Sequence, residues 1–325
     1  MEALAGLREK AWSMYSVRRP KGTAGDLRDT VPCQIAQPLI RATRRDWLYL
    51  VGQFALVAGV ELSDDFAHAW DPLGNAASGI SHAGDVMHFE MAHNLWIEPA
   101  VQNFFAHPHY ILGHEIGWEQ IRPLVDAMYG QGHLFFTIFF AMWVFFYRRG
   151  LFTFVRNVFL LTNTMAVALY ELFPLAPPRL APDLLSDGHR WQSLNPVWGQ
   201  GGGIKLSFNE FAAMPSVHVA WATIVGLTLA YTAKPWIIRV IGLIYPLLMA
   251  TTVIVTGNHY LSDALGAEVV VLIAVLGSTL LAARRTRFGS ISAVLAYLRA
   301  HRHGEPVCIA EDGAVAPMGS TTAAA

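Results

Sequence analysis

Two apolar runs, residues 215–231 and 236–256, follow one another across a short turn that carries Lys234. Each approaches the roughly 20 residues that a helix needs to cross a bilayer. In hydrocarbon the backbone must satisfy its own hydrogen bonds, so two such runs in succession predict a helical hairpin. The chain then goes in and comes back, and the polar stretches at the outer ends of the runs return to one surface. One is Met214-Pro215-Ser216-Val217-His218; the other is Gly257-Asn258-His259-Tyr260-Leu261-Ser262-Asp263.

Further apolar runs at 47–62, 129–147, 151–172 and 261–283 raise the expected number of spans to six, the first being the shortest. Apolar residues make up 54% of the chain and charged residues 14%, which fits a polytopic membrane protein better than a soluble enzyme. The expected fold is therefore all-α, a six-helix transmembrane bundle. A net charge of −1, with no basic patch interleaved with aromatics, argues against a nucleic-acid partner. Cys33 and Cys308 lie in opposite terminal segments, so no disulfide framework is expected. Residues 1–46 read as a polar cytoplasmic tail without a signal peptide, and 47–128 as the first span plus an extracytoplasmic amphipathic region. Residues 129–283 read as a catalytic transmembrane core, and 284–325 as a cytoplasmic tail, disordered from 303.

Arg41, Arg44, Arg45, Arg148, Arg149, Lys234, Arg239, Arg284, Arg285 and Arg287 share one side if six spans alternate. The positive-inside rule makes that side cytoplasmic, with both termini inside, in a plasma membrane. Asp64, Asp65, Asp71, Asp85 and Glu119 then lie outside, as do Arg179, His218 and His259. Three chemistry-bearing side chains thus converge on one face.

His259 and Asp263 are four apart and share a helical face, so the carboxylate can accept Nδ1–H and leave Nε2 as a nucleophile. Pro215 suits the first turn of a helix, and Ser216 with the neighbouring N–H groups would face an anion there. His218 would donate a proton to a leaving oxygen. Arg179, aimed by the stiff run Pro174-Leu175-Ala176-Pro177-Pro178, would hold non-bridging phosphate oxygens. The set describes phosphoryl transfer through a phosphohistidine, with no metal and no cofactor required. Its place at the lipid–water boundary implies a lipid phosphate or phosphodiester. Seven histidines (His68, His82, His88, His93, His107, His109 and His114) match no ligand spacing and read as interfacial. Residues 86–105 read as an amphipathic helix, with Glu98 an interfacial carboxylate. The polar loop 181–211, with Gly201 to Gly203, reads as a lip over the site.

Pro177-Pro178-Arg179, Pro215-Ser216-x-His218 and His259-x-x-x-Asp263 with Gly266 resemble the three motifs of the type 2 phosphatidic acid phosphatase superfamily. Phe173 to Arg179 and Gly257 to Tyr260 resemble in particular its inositolphosphotransferase-like branch, which includes inositol phosphorylceramide synthase. The resemblance covers about residues 129–267. It implies a six-helix bundle with His259 as nucleophile, Asp263 as its partner, His218 as general acid, and Arg179 with Ser216 on phosphate. It also implies a lipid substrate and, in that branch, an alcohol acceptor such as inositol. Two positions depart from the superfamily: Leu172 stands where it carries a lysine, and Val253 where it carries an arginine. Phosphate is then held by fewer cations, with Tyr129, His133 and Asn258 as candidate helpers. Arg156 and Asn157 also resemble the branch and are expected to be structural. Two other classes fit the composition: a transporter with a histidine proton relay, and a catalytically silent membrane scaffold. The clustering of motif residues at one face, rather than the midplane, disfavours the first.

Overall fold

A continuous apolar run of about 20 residues satisfies its own backbone hydrogen bonds as a helix, and helices dominate the computed structural model. It describes residues 44–68, 72–112, 114–129, 131–180, 209–284, 291–302, 307–309 and 315–317. The tail 1–43, the glycine-bearing loop 181–208, Arg285 and Arg287 lie outside the described residues. The helices are α1 (Arg44–His68), α2 (Pro72–Ala92), α3 (Glu98–Ala106), α4 (Trp118–Tyr129), α5 (Gln131–Tyr147), α6 (Arg149–Leu172), α7 (Val217–Thr232), α8 (Trp236–Val255), α9 (Leu261–Arg284) and α10 (Ile291–Ala300). Two antiparallel hairpins of three-residue strands accompany them: β1 (His109–Ile111) with β2 (His114–Ile116), and β3 (Val307–Ile309) with β4 (Val315–Pro317). The second hairpin lies in the tail expected to be disordered; its Val and Ile residues favour strand pairing.

By length and hydropathy, α6, α8 and α9 each suffice to cross a bilayer. The pair α4 and α5, bent by 44°, adds a fourth if it counts as one span. Helix α7 is apolar but only 16 residues long. Helix α1 is 25 residues long yet carries Arg44, Arg45 and Asp46 in its first turn and is not among these candidates. Among the described residues the chain is thus a predominantly helical assembly with three or four membrane-length helices.

The helical hairpin is the tightest element. Helices α7 and α8 pack against each other more extensively than any other described pair. At their crossing Gly226 faces the Gly242 carbonyl so closely that a Cβ would lie 2.2 Å from that oxygen, and the reverse substitution would meet the Gly226 carbonyl at 2.6 Å. Small residues let membrane helices approach in this way. Helix α9 packs on α6 and α7, and α1 on α6. The shared core includes Phe145, Phe152, Val219, Val225, Met249 and Val253. Outward faces of α5, α8 and α9 expose Phe135, Phe139, Ile237, Leu247, Val269 and Leu272, as a lipid-facing belt requires.

Arg156, expected to be structural, bonds across two helices. Its Nη1 donates to Gln53 Oε1 at 2.7 Å, tying α6 to α1, while its Nη2 donates to the adjacent Asn157 Oδ1 at 2.6 Å.

Residues 86–105 are not one helix. Helix α2 ends at Ala92, Asn94 adopts a left-handed φ of 56°, and α3 restarts at Glu98 with Pro99 in its first turn. Asparagine tolerates that conformation at a helix stop, and proline suits a helix start. The break turns α3 toward the polar end of the hairpin.

Candidate functional site

The hairpin returns its polar ends to one place because α6 ends, α7 begins, α8 ends and α9 begins at the same end of the assembly. Arg148, Arg149, Lys234, Arg239 and Arg284 stand at the opposite ends of these helices and of α5. The segment after α6 runs extended beside the segment before α7. Leu175 N–H donates to the Phe211 carbonyl at 2.6 Å, and Ala213 N–H to the Leu175 carbonyl at 3.3 Å. Ala176 N–H reaches Gly79 O on α2 at 3.0 Å, and His82 Nδ1–H donates to Pro174 O at 2.7 Å while stacking on Phe173. His82 therefore fastens the proline-rich exit, which then passes Arg179 to the α8–α9 turn. Arg179 N–H donates to Gly257 O at 3.0 Å.

Gly257 has a φ of +65°, a conformation that favours glycine, and a Cβ there would press on Gln102 Nε2 at 3.2 Å. The turn it makes carries Asn258 and His259. Asn258 Oδ1 accepts from Arg179 Nε at 2.8 Å, and Asn258 Nδ2 donates to Thr256 Oγ1 at 2.8 Å. Asn258 thus orients the guanidinium through Nε.

His259 is buried at 6% exposure. Its Nδ1 lies 2.8 Å from the Ala213 carbonyl and 3.2 Å from Asp263 Oδ2. A carbonyl can only accept, so Nδ1 carries the hydrogen and Nε2 keeps its lone pair. Sequence spacing pointed to Asp263 as the tautomer-setting partner; the closer acceptor is Ala213 O, which spacing alone could not reveal. Asp263 Oδ2 also accepts Tyr260 N–H at 2.9 Å, so the carboxylate caps its own helix as well as supporting the imidazole. Burial pushes His259 down to about 4; the Ala213 bond opposes this, and the Arg179 charge adds to it. The ring is therefore neutral near pH 7.

Ser216 caps α7, its Oγ accepting Val219 N–H at 3.5 Å, while Ser216 N–H donates to Asp263 O at 3.1 Å. Pro215 does not sit in the first turn of α7 as its preference predicted. It precedes the cap, and its carbonyl accepts Tyr170 Oη–H at 2.8 Å. One turn on, the His218 ring lies 6.3 Å from the His259 ring, centroid to centroid, and stacks on Tyr129 at 4.4 Å. His133 lies 5.6 Å from His218, ring centroid to ring centroid, with its Nδ1 2.7 Å from Tyr245 Oη and its Nε2 buried without a partner among the described residues. His259, Asp263, His218, Arg179, Ser216, Asn258, Tyr129 and His133 thus lie together at this end of the assembly.

Glu98 is not interfacial. It is fully buried, and its Oε1 accepts Leu261 N–H at 2.6 Å. Glu90, also fully buried, accepts the next amide, Ser262 N–H, at 2.7 Å. One turn along α3 from Glu98, Gln102 Nε2 donates to Ile254 O and Val255 O, each at 3.4 Å. Helix α3 therefore meets both ends of the turn, a carboxylate at the positive end of α9 and an amide at the negative end of α8. Glu90 and Gln102 were not anticipated. The i, i+4 spacing of Glu98 and Gln102 was the available signal, since it puts two polar groups on one helical face.

The position that the resemblance marks for an arginine, Val253, is fully buried, and its carbonyl accepts Asn258 N–H and His259 N–H. Leu172, in the place of the lysine, is 79% exposed. Several outer histidines are engaged locally: His93 and His107 bond the carbonyls four residues before them, and His109 bonds Phe104 O. Among the described residues no group of three or more His, Cys, Asp or Glu side chains is placed to hold a metal ion.

A family model described as the PAP2 superfamily matches residues 84–277, more than half of the chain. No significant match was found among curated proteins or among solved structures.

Proposed function

This chain belongs to the PAP2 superfamily, and from that premise we propose that it is an integral-membrane lipid phosphatase or phosphotransferase working through a phosphohistidine at His259. The observation that carries the reading is the locked tautomer of His259, whose Nδ1–H is committed to Ala213 O and Asp263 while the His218 ring and the Arg179 guanidinium share its neighbourhood. His259 Nε2 attacks phosphorus, and the bond to the leaving oxygen breaks. His218 supplies the proton that this oxygen takes up, then removes one from the water or alcohol that attacks the phosphohistidine. Arg179, oriented by Asn258, holds the non-bridging oxygens, with Ser216 and the amino end of α7 beside it. Asp263 supports the imidazolium-like charge that develops on His259. Tyr129 and His133 pack along His218 and set its ring plane.

The amino end of α9 contributes little to phosphate, because its first amides already bond Asp263, Glu98 and Glu90. With Leu172 and Val253 in place of two cations, the site suits a phosphodiester, which bears less charge than a monoester. That favours transfer, with an alcohol such as inositol as acceptor, as in the inositolphosphotransferase-like branch. The arrangement of basic residues, read by the positive-inside rule, supports a site on the extracytoplasmic side with both termini in the cytoplasm, in a six-span bundle that would count the charged-ended α1 and the short α7 as spans. The test is to incubate purified protein with labelled lipid phosphates and phosphodiesters, with and without alcohol acceptors. Label released from a phosphodiester and passed to an acceptor supports the transferase. Turnover of monoesters alone makes it a phosphatase, and no turnover of either class refutes the proposal.

A further inference from the structure

Two acids lie in the interior beside the turn that carries His259, and the phosphoryl-transfer mechanism uses neither. Glu90 comes from α2 and Glu98 from α3, and neither has exposed surface. Each commits Oε1 to one of two consecutive amides at the amino end of α9. The other oxygens, Glu90 Oε2 and Glu98 Oε2, are buried and meet no N–H or O–H donor among the described residues. A pair of bare carboxylates in that position would repel one another in a low dielectric. A proton shared between the two acids would give both of these oxygens a hydrogen-bond partner.

The surroundings agree. Burial and the neighbouring Glu90 charge raise Glu98 to about 8, against the lowering effect of the Leu261 N–H bond, and the Glu90 side chain also hydrogen-bonds it. The other titratable groups facing the pair are Tyr260 and Asp263. Tyr260 is pushed up by burial first and then by Asp263, Glu90 and Glu98. Among the described residues no positive side chain acts on Glu98. A pair holding one proton would carry a single negative charge, and that charge would face the positive end of α9.

We propose that Glu90 and Glu98 are positioning residues: a buried acid pair sharing one proton that grips the first amides of α9 and thereby sets where His259 and Asp263 stand. The pair acts through the backbone, since Leu261 and Ser262 immediately follow the His259–Tyr260 step. Gln102 completes the grip at the end of α8. Loss of the shared proton sets two carboxylates against each other and loosens the turn; loss of either acceptor frees an amide. The consequence for turnover rests on the function proposed above, but the grip itself does not, and the test separates the two.

The experiment measures hydrogen-exchange protection of the 257–263 segment in the full-length protein from pH 6 to pH 9.5, for wild type, Glu98→Gln, Glu90→Gln and Glu98→Ala. Phosphoryl-transfer rate is followed in parallel with the best substrate of the lipid panel. In wild type, protection of this segment falls at least tenfold with a midpoint near pH 8, while the core of α8 stays unchanged. Glu98→Gln keeps an acceptor for Leu261 N–H and donates an amide hydrogen to Glu90, so it retains protection and removes the alkaline step. Glu90→Gln does the same from the other side. Glu98→Ala loses protection at every pH, and kcat falls at least tenfold with KM changed less than threefold. An alkaline step that persists in both glutamine variants overturns the proposal, as does wild-type protection in Glu98→Ala. If protection behaves as expected but no lipid phosphate turns over, the acid pair stands and the phosphotransfer reading fails.

Discussion

Replacing Gly226 by alanine adds one methyl group, and its consequence follows from a single distance. The new Cβ would lie 2.2 Å from the Gly242 carbonyl oxygen and 3.0 Å from Pro246 Cδ. Relaxed contacts between non-bonded heavy atoms are about 3.5 Å, so α7 and α8 must separate by about 1 Å at this point. Both contacts belong to α8, a backbone carbonyl and a proline ring, and neither can swing aside as a flexible side chain would. Overpacking of this kind costs about 1–3 kcal/mol. The site lies eight residues away, about 12 Å along the helix, yet α7 carries His218 while α8 leads into the turn with His259. A misplacement of about 1 Å between reacting groups costs up to about 100-fold in rate. Gly226→Ala should therefore lower the Tm in detergent by several degrees and reduce turnover by about 10- to 100-fold. Gly277→Ala is the control: its Cβ would meet only Leu161 Cδ1, at 3.4 Å, and it should match wild type in both assays. A Gly226→Ala protein with wild-type Tm and turnover would refute both the close approach of the helices and the claim that the site is assembled across it.

Asn258→Ala removes the acceptor that holds Arg179 Nε; kcat/KM should fall about 10- to 100-fold, with little change in Tm, in steady-state assays against the preferred lipid. The pH dependence of the nucleophile is also fixed: with His259 lowered to about 4, phosphoenzyme formation should stay level from pH 7 to about 5 and halve near 4, not near 6.5. The same depression makes the unfolded chain bind the extra proton between those values, so this group's share of stability is present above pH 6.5 and lost as pH falls toward 4. Single-turnover quench from pH 4 to 7 measures the limb, and a half-loss near 6.5 would mean a solvated imidazole.

What the sequence revealed, and what it hid, depended on the range of the contact. The His259–Asp263 pair is a four-residue spacing, so helical periodicity brought it within sight. The return of His218 and His259 to one end followed from the length of two apolar runs. Arg179 was aimed by its prolines, but its contact with Asn258 spans 79 residues and was not legible. The same holds for Ala213 O on His259, and more so for Glu98 and Glu90, which reach Leu261 and Ser262 across 163 and 172 residues. A glutamate among aromatics reads as interfacial because an unpaired buried carboxylate is costly. Two backbone amides and a second acid change that balance, and no local pattern announces them. The stop at Asn94 rests on a left-handed residue inside an otherwise helical apolar pattern, which periodicity does not show.

The claim on which the account rests is that phosphorus passes through His259. The direct measurement is to quench the protein with a phosphorus-labelled substrate in alkali, which preserves phosphohistidine, and to locate the label by mass spectrometry of the peptide spanning 257–263. The account predicts one phosphoryl group on His259, lost in acid, absent from His259→Ala and formed more slowly in His218→Ala. Label on His218, on Ser216 or on any outer histidine, or turnover that persists in His259→Ala, would contradict it.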